Sequence, residues 1–160
     1  MGGGAGERGG AGIQAELESA KRLCFDTSAL IYYLNRSEPH ALAVRQLFEE
    51  VRYGRREGLI SVVSEVELLV RPLRDGSWLD VERARLVVEA PNLRVVDFDR
   101  TIARTTAEVR ARTRLRLPDA AIVATAMVSG CDAIVGNDAR CAERVRELPY
   151  LLLDELVGQV

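Results

Sequence analysis

Four carboxylates define the chemistry open to this chain: Asp26, Glu67, Asp119 and Asp138. Asp26 follows the apolar or β-favouring run Leu23-Cys24-Phe25 and precedes two small hydroxyl residues, Thr27 and Ser28, which places it at the carboxyl end of a first strand. Open α/β sheets hold their ligands at that edge. The other three acids fall at equivalent places, each just after a strand or in the first turn of a helix. Four acids gathered at one sheet edge repel one another without a cation, and neither histidine nor lysine is there to neutralise them. Hard divalent cations choose oxygen ligands, and Mg²⁺ keeps waters while binding carboxylates and substrate phosphate. In phosphodiester hydrolysis such an ion activates a water and stabilises the attacking and leaving oxygens. The set therefore points to a metal-dependent nuclease.

Each acid also has a local explanation. Asp26 before Thr27-Ser28 is a good helix cap or turn. Ser64 followed three residues later by Glu67 reads as a capping box, in which the Glu bonds back to the Ser backbone. Glu65 is the local rival to Glu67 as a ligand. Asp119 follows Pro118 in a first helical turn, where the helix dipole favours an acid in any protein. The helix behind it, Ala120 to Met127, is small and apolar nearly all round, so a carboxylate on its first turn is buried and needs a partner. Asp138 sits in Gly-Asn-Asp, a common turn composition. Agreement of four positions outweighs each local account.

The elements that must position these acids alternate. Strands are expected at 22–26, 59–63, 93–98, 132–135 and 150–153. Helices are expected at 28–34, 38–53, from Ser64 to about Pro72, 77–90, from the Asp99 cap onward, from Pro118 to Gly130, and at 139–147. Alternation of this kind predicts an α/β fold: a three-layer sandwich with a central, mostly parallel sheet and helices on both faces. Residues 1–20 read as a flexible glycine-rich arm and 21–160 as a single domain, with at most a frayed helix over 13–21.

Composition excludes several alternatives. At 160 residues, 48% hydrophobic and 29% charged, the chain has the size and balance of one globular domain. It holds no apolar run long enough to span a membrane, and a cytoplasmic location is expected. Cys24, Cys131 and Cys141 form no C-x-x-C pair and read as free thiols. The single histidine, His40, reads as a surface residue without the partners a zinc centre needs. The single lysine, Lys21, precedes the first strand, which disfavours P-loop and Schiff-base chemistry. A net charge of −2 makes any nucleic-acid surface a local one.

At this point the residues resemble the PIN domain, most closely the VapC-like ribonuclease toxins of bacterial type II toxin–antitoxin systems. The matching pieces are F-D-T-S-A-L-I-Y-Y-L at 25–34, S-V-V-S-E-V-E-L-L at 61–69, L-P-D-A-A-I-V-A-T-A at 117–126 and G-N-D at 136–138. They run in family order across 22–155. The resemblance implies an endoribonuclease in which Asp26, Glu67, Asp119 and Asp138 hold Mg²⁺ or Mn²⁺, with Thr27 or Ser28 as a supporting hydroxyl. It also implies a homodimer inhibited by a cognate antitoxin whose tail covers the active site. One departure is visible: many relatives read Thr-Asn-Asp where this chain has Gly136, so a hydroxyl supporting the acids is expected to be missing.

Six arginines between Arg100 and Arg116 face a single acid, Glu108, and lead straight into Asp119. Arg112, Arg114 and Arg116 are the expected contacts to RNA phosphates. Two rivals remain from the sequence. A phospho-aspartyl receiver or haloacid-dehalogenase-like phosphatase also places an Asp after its first strand, but needs a downstream lysine. A catalytically silent PIN-like binding module, for RNA or protein, is the other, and Gly136 favours it.

Overall fold

Five short strands pair in parallel, in the order β3-β2-β1-β4-β5, in a computed structural model that describes residues 10–158. They are β1 (Arg22–Phe25), β2 (Glu57–Ser61), β3 (Leu93–Val96), β4 (Ala133–Gly136) and β5 (Tyr150–Leu152). Nine helices accompany them among the described residues: α1 (Gly10–Ser19), α2 (Thr27–Asn35), α3 (His40–Arg52), α4 (Val62–Asp75), α5 (Trp78–Val88), α6 (Arg100–Thr113), α7 (Leu117–Val128), α8 (Ala139–Arg144) and α9 (Leu153–Val157).

Successive side chains of a strand point to opposite faces, and the strands divide two cores on that basis. Leu23 and Phe25 of β1, Ala133 and Val135 of β4, and Leu151 of β5 join residues of α1, α2, α3, α4, α5 and α9. Cys24, Ile134 and Tyr150, one residue out of step, join residues of α6 and α7 and the α8 segment. This is the three-layer sandwich expected from the alternation of elements, with every strand pair parallel.

The chain lays down β1, β2 and β3 toward one edge, then crosses back to place β4 on the other side of β1. The order reverses between β1 and β4, which is where open sheets leave a crevice at their carboxyl ends. Asp26 follows β1 and Asp138 follows β4 by two residues, so both acids flank that point.

Three expectations are corrected. Helix α1 covers 10–19 where a flexible arm with at most a frayed helix over 13–21 was expected, and it is docked, because Ile13 and Ala20 bury into the core and Arg56 bonds the Leu17 and Ala20 carbonyls. The remainder of the expected arm, 1–9, lies outside the described residues. Second, β2 begins at Glu57 and ends at Ser61, two residues earlier than β-branched Val62-Val63 suggested. Third, the cap of α4 is consequently Ser61, whose Oγ accepts from the Val63 N–H at 3.2 Å, and the Ser64–Glu67 capping box does not form. Glu67 lies in the second turn of α4, leaving its carboxylate free for another partner.

Candidate metal centre

Asp26 caps α2, its Oδ1 accepting from the Thr27 N–H at 2.7 Å. Its other oxygen, Oδ2, accepts from the Tyr150 hydroxyl and sits 3.4 Å from Ser28 Oγ. With 6% of its surface exposed, Asp26 is a carboxylate nearly out of water. Burial pushes its pKa up to about 6; the Tyr150 and Thr27 hydrogen bonds oppose the rise, and Asp119 and Asp138 add to it. A carboxyl in this state is short of positive charge.

Glu67 reaches the same place through Thr27, whose hydroxyl donates to Glu67 Oε1 at 2.7 Å and lies 2.9 Å from the buried Ser64 Oγ. Both expected supporting hydroxyls thus have partners, since Ser28 Oγ accepts from the Asn137 N–H at 2.9 Å. Asp138 caps α8, its Oδ1 accepting from Arg140 and Cys141 N–H groups at 2.9 and 3.1 Å. Asp119 is buried in the first turn of α7, itself buried from Asp119 to Ala126. Ligand atoms of Asp119, Asp138 and Cys141 lie within 4.8 Å of one another.

The site therefore joins all four sequence-derived acids: Asp119 beside Asp138, Asp26 within electrostatic reach of both, and Glu67 linked to the Asp26 turn by Thr27. The donor set is mainly carboxylate oxygen, which fits a hard divalent cation such as Mg²⁺ or Mn²⁺. Cys141 does not change that assignment. Burial, with the three aspartates around it, pushes the metal-free thiol well up, and a hard cation prefers the oxygen ligands beside it to sulfur.

The arginines divide. Arg116 Nε lies 3.2 Å from Asp119 Oδ2, three residues along the chain, and its side chain is otherwise exposed. Arg112 pairs with Glu147. Arg114, exposed at the left-handed C-cap of α6, makes no ion pair among the described residues. The three arginines thus differ in how strongly they are already paired.

Two residues escaped the sequence reading. Cys141 carried no signal beyond that of a small buried thiol. Tyr150 looked like an ordinary strand residue, yet its hydroxyl bonds Asp26 and accepts from the Asp138 N–H at 3.2 Å. The hydroxyl expected to be missing at Gly136 is thus present, supplied by another strand. His40 is also less of a surface residue than expected: it stacks on Tyr32 and lies 2.6 Å from Asp154 Oδ1.

The sequence profile described as PIN domain matches residues 23–148. Among curated proteins none matches the sequence. Solved structures share the fold, three of which follow. VapBC2 from Rickettsia felis, bound to a DNA fragment from its promoter, aligns with TM-score 0.65 and 15% identity over 81% of this chain and 96% of that one. VapBC-1 from nontypeable Haemophilus influenzae gives 0.64 and 16% over 83% and 98%. Mycobacterium tuberculosis VapC20, a sarcin-ricin loop cleaving toxin, gives 0.62 and 15% over 79% and 98%.

Proposed function

The chain belongs to the PIN domain family, and from that premise we propose that it is a metal-dependent endoribonuclease hydrolysing RNA phosphodiester bonds, the toxin of a toxin–antitoxin pair. The observation that carries the reading is the convergence of Asp26, Glu67, Asp119 and Asp138 on the β1/β4 switch point with two of them buried. Bound among these acids, Mg²⁺ or Mn²⁺ supplies a water activated for attack and positive charge for the phosphate oxygens. The protein's part is orientation. Thr27 holds Glu67, the Thr27 N–H and Tyr150 hydroxyl hold Asp26, and the α8 N-terminus holds Asp138.

Arg116 neutralises Asp119 in the absence of an ion, and its exposed side chain can exchange the carboxylate for an RNA phosphate. Arg114 is a second phosphate ligand, and Arg112 is restrained by Glu147. Every single-strand phosphate that a protein neutralises steepens the fall of log K with log salt by about 0.7. In an Asp119→Asn background, which stops cleavage, Arg114→Ala is expected to make that slope shallower by about 0.7 while Arg112→Ala leaves it nearly unchanged. Equal slopes for all three proteins in a salt titration of RNA binding would remove Arg114 from the substrate surface.

The toxin–antitoxin assignment rests on the VapBC character of the fold's neighbours and on unpartnered apolar surface. Val66, Val70 and Leu73 line an exposed face of α4 at helical spacing, and Trp78 and Leu79 open α5 just beyond. A cognate antitoxin and a second copy of the chain, in a homodimer, are the proposed occupants of such surfaces. No described helix is long and apolar enough to cross a membrane, and the proposal places the enzyme with its RNA in the cytoplasm. The silent-module reading drew on Gly136, and the Tyr150 hydroxyl removes that support.

Purified protein incubated with total cellular RNA is expected to yield discrete fragments with Mg²⁺ or Mn²⁺ and none with EDTA. Intact RNA under all conditions, from folded protein free of antitoxin, would overturn the nuclease reading.

A further inference from the structure

Gly136 is not a glycine for conformational reasons; its backbone lies outside the positive-φ region. It is a glycine for space. A Cβ there would stand 2.2 Å from the Tyr150 hydroxyl oxygen, 2.9 Å from Tyr150 Cζ and 2.8 Å from Asp26 Cβ. Atoms do not approach so closely, so any side chain at 136 must displace the phenol and crowd Asp26 as well. The phenol itself is buried, and its one hydroxyl ties two of the acids together: it donates to Asp26 Oδ2 and accepts from the Asp138 backbone.

We infer that Tyr150 is a positioning residue for the acidic site, fixing Asp26 for metal binding, and that Gly136 exists to admit its hydroxyl. The pair replaces a hydroxyl borne on residue 136 by one reaching in from β5. Restoring Thr at 136 therefore damages the site in this chain instead of completing it. The inference rests on the reading of the four acids as a metal centre.

Groups that orient metal ligands from behind are worth about 10- to 100-fold in metal affinity. Tyr150→Phe keeps the ring packed and removes only the hydroxyl. It is expected to weaken Mn²⁺ binding by about 10- to 100-fold, measured by calorimetry or by the loss of free-ion Mn²⁺ spin resonance, while the metal-free protein still unfolds in one cooperative transition, at a temperature lowered by the lost hydrogen bond to the buried carboxylate. Gly136→Thr is expected to weaken Mn²⁺ binding as well. Combined with Tyr150→Leu, which removes the phenol but leaves the contact with Asp26 Cβ, the same Gly136→Thr change is expected to cost less Mn²⁺ affinity than it does beside Tyr150.

Wild-type affinity in Tyr150→Phe, or in Gly136→Thr, overturns the inference and leaves the metal reading standing. Failure of the unmodified protein to bind Mn²⁺ overturns both. Should the Leu-containing variants not fold, the Tyr150→Phe comparison decides alone.

Discussion

Asp26→Asn is expected to reduce metal-dependent RNA cleavage by roughly 10³-fold or more while making the metal-free protein more stable at pH 7. The activity loss follows from removing a ligand charge from the ion that is to carry several kcal/mol of transition-state stabilisation. The stability gain follows from burial. Asp26 has a folded-state pKa of about 6 against an ordinary 3.8, which corresponds to about 3 kcal/mol held against the ionised form. The folded value lies above the unfolded one, so the favourable contribution of the protonated acid is complete below about pH 4 and is lost as pH rises through about 6. At pH 7 the ionised carboxylate opposes folding, and a neutral amide of the same shape relieves that cost. Urea unfolding in EDTA is expected to show Asp26→Asn more stable by up to about 3 kcal/mol at pH 7 and equal to wild type near pH 3.5. Added Mn²⁺ is expected to reverse the order, because it binds the native wild-type site more tightly than the variant. A variant less stable than wild type at pH 7 in EDTA would mean that the hydrogen bonds Asp26 accepts outweigh the cost of burying its charge.

Mn²⁺ affinity is expected to be nearly flat above about pH 7 and to fall about tenfold for each pH unit below about 6. The ion competes with a proton for Asp26, and the proton is favoured by burial and by the neighbouring Asp119 and Asp138. Tyr150 and the Cys141 thiol, which lie beside it, are both pushed upward by burial and do not titrate in this window. Cleavage measured at subsaturating metal is expected to follow the same profile, and saturating metal to shift its midpoint to lower pH. A metal affinity unchanged from pH 7 to pH 5 would show that Asp26 is ionised throughout, or that it does not hold the ion.

Much of this site was legible in one dimension. Asp26 and Asp138 each end a strand, and the strand-helix alternation that requires a parallel sheet also requires those ends to share an edge. Asp119 was marked by the small apolar helix behind it, since a buried helix makes any carboxylate on its first turn conspicuous. Glu67 was harder: Ser64 three residues before it offered a capping box, and Val62-Val63 looked like strand. Their β preference yielded because β2 pairs with β1 from Glu57, so the strand ends at Ser61 and Ser61 takes the cap. Helix α1 read as no more than a frayed segment because its stability comes from docking Ile13 on the core, not from its own sequence.

By itself, then, the sequence determined the alternating elements and the parallel three-layer sheet, and it singled out the four acids as candidates, because hydrophobic period and helix signals are properties of neighbouring residues. Only the tertiary structure decided which atoms complete the site. The Tyr150 hydroxyl meets Asp26 across 124 positions of chain, and the empty space at Gly136 that admits it is set by the registry of β4 between β1 and β5. A glycine that looks like a lost hydroxyl when residues are read along the chain is room for a hydroxyl from elsewhere when they are packed, because packing depends on distance in space and not on separation in sequence.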